Sequence, residues 1–173
     1  MSRIRVLNTS IFLFAIFLLQ ETVISRINFP INGFSLYLAA LMVLLSLEDR
    51  NGALVFGFIG GLIMDLSAAA DTPFGQWALV LTAIGYLFSV NKESIGDVTD
   101  SPIIFIVFIS LASALALFLF LVVGAMLGQE NGTLTHAATI ILANTIWSIL
   151  ITPLFLPAMI KARTALLSNR ERT

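Results

Sequence analysis

Asp65 closes an apolar, glycine-rich run, and it is the residue whose setting most demands an explanation. The stretch from Gly57 to Gly75 reads GFIGGLIMDLSAAADTPFG. On a helix, Gly57, Gly61, Asp65 and Ala68 share one face, with Gly60 beside them. Glycines four apart let two helix backbones approach closely in lipid. That face fits either packing within the bundle or contact with another protein's helix. A carboxylate costs about 2.5–3.5 kcal/mol at the centre of a membrane helix and less near the interface, so Asp65 requires polar partners. At matching depth stand Gln20, Glu21, Gln76 and Asn144, and Ser148 shares a helical face with Asn144. A buried polar network fixing helix register is the expected outcome. A proton relay is disfavoured, because such relays string several carboxylates or histidines through the midplane and the inner half here lacks them. Pro73 and Gly75 mark a tight turn after this segment.

Catalytic equipment is scarce. The chain has no cysteine and one histidine, His136. This excludes disulfides, thiolate ligands, a cysteine nucleophile and a multi-histidine zinc site. The acidic loop residues Glu93, Asp97 and Asp100 are the one cluster that an intramembrane enzyme reading can use, and a solvated loop explains them. The expectation is no catalytic residue, no metal and no cofactor.

These residues need helices to place them. Of 173 residues, 58% are apolar and 11% charged, with a mean hydropathy of +1.00, where a soluble domain carries about 25% charged residues. Too few charges remain to solvate a surface, so lipid must cover much of it. A net charge of −1 gives no sign of nucleic acid. Six apolar runs are predicted as spans: Val6 to Ile24, Ile31 to Leu47, Gly52 to Leu66, Gly75 to Val90, Pro102 to Leu127 and Ala137 to Ile160. The predicted fold is an all-α integral membrane protein, a six-transmembrane-helix bundle forming one domain over residues 1–173. The bulky residues and the carboxylate after the first run do not suit signal cleavage, so that run is read as a retained helix.

Cation placement orients the bundle. Arg3, Arg5, Arg50, Lys92, Lys161, Arg163, Arg170 and Arg172 fall on one side, and Arg26 alone on the other. Both termini are therefore expected in the cytoplasm. The charged turn Glu48-Asp49-Arg50 is expected in water. Ser110, Ala112, Ser113, Ala114 and Ala116 form a small-residue patch, and Pro153 and Pro157 are expected to bend or end the last helix.

The run from Gly57 to Leu66, followed by Phe74-Gly75, Ala78-Leu79 and Gly85-Tyr86, resembles the bacterial rod shape-determining protein MreD family. Gln20 in the first helix and Asn144 in the last also fit. The specific letters lie in the third and fourth helices. The chain departs from the family at Gly33-Phe34-Ser35, where many members carry Pro-Asp. The resemblance implies a non-enzymatic scaffold or regulator of cell elongation in the bacterial cytoplasmic membrane, supporting peptidoglycan synthesis and rod shape. It implies MreC as a partner, together with a RodA-type glycosyltransferase and a class B penicillin-binding transpeptidase, and MreB filaments indirectly. The competing reading is a substrate-binding subunit of an energy-coupling-factor vitamin transporter. Such subunits carry small residues four apart in the first helix, whereas Ala15 here stands alone among bulky neighbours.

Overall fold

A computed structural model describes residues 3–26, 34–67, 73–92, 101–129 and 133–166. Among them are six α-helices: α1 (Arg3–Thr22), α2 (Leu36–Leu47), α3 (Arg50–Met64), α4 (Gln76–Val90), α5 (Pro102–Met126) and α6 (Leu134–Leu166). A single 3-10 turn, Ile24–Arg26, follows α1, and no strand occurs among the described residues.

Three helical segments are long and apolar enough to cross a membrane: Arg3–Arg26, Pro102–Met126 and Thr135–Ala165. The other three helices are apolar but shorter. At 1.5 Å per residue, α2 extends ~18 Å, against a hydrocarbon core ~30 Å thick. The six runs of the sequence thus become three long helices and three short ones.

α2 is the axis of the bundle. It touches each of the other five helices, and Tyr37 through Ser46 are all buried. A helix surrounded on every side has no need for a polar face, which explains why its sequence is apolar all round. Leu13, Phe56, Leu81, Ile84 and Ile109 pack into one core with it. Large apolar side chains such as Ile11, Phe58, Leu79, Ile103 and Leu154 cover the outside, as lipid contact requires.

Several boundaries differ from those the sequence predicts. α2 begins at Leu36 rather than Ile31, because the Ser35 hydroxyl caps it by accepting from the Leu38 N–H at 3.1 Å. α3 starts at Arg50 and stops at Met64, which leaves Asp65 as its C-cap residue. α6 continues past Pro153 and Pro157, so neither proline ends it. Each proline removes one N–H, and the burial of Thr152, Leu156 and Met159 on one face keeps the helix docked. Ala68, the loop carboxylates Glu93, Asp97 and Asp100, and the tail cations Arg170 and Arg172 lie outside the described residues.

Candidate functional site

The α3–α4 hairpin carries the glycine run. A Cβ at Gly57 would lie 2.5 Å from the Leu81 carbonyl oxygen, and one at Gly85 would lie 2.5 Å from that of Ala53. A Cβ at Gly61 would strike the Ala78 backbone, with the Trp77 carbonyl oxygen at 2.6 Å. The two helices therefore run antiparallel with their backbones in direct contact along three consecutive small-residue positions. Gly60 faces the other way. Its carbonyl accepts from the Tyr37 hydroxyl at 2.8 Å, and its Cβ position meets the Leu41 methyl groups of α2. Of the two readings of this face, packing within the bundle describes Gly57, Gly60 and Gly61, which α4 and α2 cover. Beside this seam the hairpin leaves an open apolar groove of about 800 Å³, lined by Leu54, Phe58, Leu62, Leu79 and Tyr86.

Asp65 sits where the hairpin turns. Its carboxylate accepts from the backbone N–H groups of Gly75 at 3.0 Å, Trp77 at 3.0 Å and Ala78 at 3.1 Å. A helix start leaves such N–H groups unpaired, and an anion there also meets the positive end of the helix dipole. Gly75, at the N-cap position with φ of 98°, has no side chain to cap with. Asp65 supplies the cap from the preceding helix instead. Pro73 contributes its carbonyl, which accepts from the Gln76 N–H at 3.2 Å and closes the turn.

The side chains expected to surround Asp65 do something else. Gln20 accepts from the Leu36 N–H at 2.9 Å, and Asn144 accepts from the Ser35 N–H at 3.1 Å. With Ser35 itself, these two satisfy the start of α2. Glu21 accepts from the Ser67 hydroxyl at 3.0 Å, and Gln76 donates to the Phe120 carbonyl of α5 at 2.8 Å. Trp77 stacks on Phe120 beside that bond, with ring centroids 4.1 Å apart. A connected network of Gln20, Glu21, Asp65, Gln76, Asn144 and Ser148 is thus corrected to a set of separate clamps, because most of these groups are spent on backbone. Ser148 makes none of these bonds.

The opposite end holds a site that the sequence reading missed. Glu48, in the α2–α3 turn, is only 3% exposed. Its carboxylate pairs with the Arg5 guanidinium of α1 and lies 3.4 Å from Nε of Arg163 on α6. Its carbonyl accepts from Nζ of Lys92, just past α4, at 2.8 Å. The turn expected in water is therefore divided: Asp49 and Arg50 are exposed, while Glu48 is enclosed by three cations. Burial pushes the Glu48 carboxyl above its ordinary value, and Arg5 and Arg163 pull it back without cancelling the rise. A signal existed in the sequence: Glu48 adjoins the segment end at which most of the cations collect.

Chemically, both ends act as fasteners. Among the described residues no group of three or more histidine, cysteine, aspartate or glutamate side chains could hold a metal ion. Compared with models of protein families, with curated proteins and with solved structures, the chain matches none.

Proposed function

We propose that the chain is a six-span scaffold subunit of a bacterial cell-elongation complex, akin to MreD, inserted in the cytoplasmic membrane with both termini inside. One observation carries this reading. The letters that make the resemblance, Gly57, Gly61, Asp65, Gly75, Ala78 and Gly85, all belong to one physical unit, the fused and capped α3–α4 hairpin. A motif so used maintains shape rather than turning over a substrate. The orientation draws support from Glu48, which gathers Arg5, Lys92 and Arg163 at one end of the bundle, where the positive-inside rule puts cations. Six crossings are supported by the up-and-down order of the helices, with the start of α2 satisfied by Gln20 and Asn144 and the start of α4 by Asp65.

In this reading the protein binds MreC directly and joins a RodA-type synthase and a class B transpeptidase, with MreB filaments reached indirectly. Deleting the gene turns rods into spheres, and mild-detergent purification brings MreC along. A deletion strain that keeps its rod shape contradicts the proposal. A purified protein that retains a stoichiometric vitamin favours the transporter reading instead.

A further inference from the structure

One face of α6 carries Asn144, Ser148 and Thr152, spaced four apart and all fully buried. Each holds a polar atom without a partner: the Asn144 amide nitrogen and the hydroxyls of Ser148 and Thr152. This departs from the habit of the molecule. Thr145 on the same helix, and Ser110 and Ser113 on α5, donate to carbonyls of their own helices. Leaving so many groups dry costs about 1–3 kcal/mol each, and buried water making roughly three hydrogen bonds is the usual remedy.

We propose that this stripe binds a short file of water molecules inside the bundle, running about 12 Å along α6 from Asn144 to Thr152. The donors and acceptors select the ligand. Asn144 has already committed its oxygen to the Ser35 N–H, so it presents N–H donors, which repel a metal cation. The stripe itself offers no carboxylate. Hydroxyls that both give and take, beside an amide donor, suit water. Ser110 and Ser113, buried on the antiparallel neighbour α5, keep lone pairs that can accept.

Water-edited solid-state NMR on the full chain in lipid bilayers tests this directly. Magnetisation from water reaches Ser148 and Thr152 nearly as fast as exposed Thr135, and several-fold faster than buried Leu41. Transfer to both as slow as to Leu41 overturns the proposal. Thr152→Val provides a check by sign. Removing a water partner lowers the melting temperature and slows transfer to Ser148, whereas a dry stripe gains stability when its unpaired hydroxyl becomes a methyl. A rise in melting temperature overturns the proposal as well.

Discussion

Two carboxylates, one at each end of the bundle, are held by opposite means. Asp65 accepts backbone N–H groups ten to thirteen residues away, all within one hairpin. Glu48 takes guanidiniums 43 and 115 residues away, from the first helix and the last. The first is a local cap that orders a turn. The second is a long-range lock that ties α1 and α6 to the central helix. Capping exchanges one set of orphan groups for satisfied ones and is a net gain. An enclosed ion pair must first repay its desolvation, so its value lies in which helices it brings together.

Breaking the lock has the largest expected effect. Glu48→Ala leaves the Arg5 guanidinium buried without its carboxylate, and a loss of about 3–5 kcal/mol follows, read as a fall in melting temperature in detergent. Asp65→Ala exposes three N–H groups to an apolar setting and costs about 2–3 kcal/mol, while Asp65→Asn keeps an acceptor and loses less. Glycine substitutions sharpen the local side of the contrast. Gly61→Ala drives a methyl into the Ala78 backbone and costs about 1–3 kcal/mol, more than Gly60→Ala, where the obstacle is the flexible end of Leu41. Thermal unfolding of both variants checks the order.

The smallest effect is that of pH. The folded-state value of Glu48 is raised, so the folded protein holds its proton more tightly than the unfolded chain does. Stability is then fullest below the ordinary carboxylate range and declines as pH rises through the raised value. Glu48→Gln, followed by melting temperature across that range, removes this slope.

The same contrast explains what could be read from the letters. Gly57, Gly61 and Asp65 declare themselves because helical spacing is a local property, and their partner helix is the next one along the chain. Gln20 and Asn144 were conspicuous as polar residues in apolar runs, yet their partners were not, since a backbone N–H leaves no letter in a sequence. Glu48 looked like any charged turn residue. Its burial depends on Arg5 and Arg163, brought to it by tertiary packing that no local pattern encodes. The start of α2 and the end of α3 differ from the sequence reading for a related reason: Ser35 and Asp65 cut the helices inside runs that hydropathy treats as continuous.

Amide hydrogen exchange of the bilayer-embedded protein, comparing Asp65→Ala with Glu48→Ala, tests the division between local cap and long-range lock most directly. Asp65→Ala speeds exchange at the first turn of α4 and the end of α3 alone. Glu48→Ala speeds exchange at the Arg5 end of α1, the end of α2 and the Arg163 end of α6 together. Equal loosening of α1 and α6 by both variants, or a Glu48→Ala effect confined to its own turn, contradicts that division.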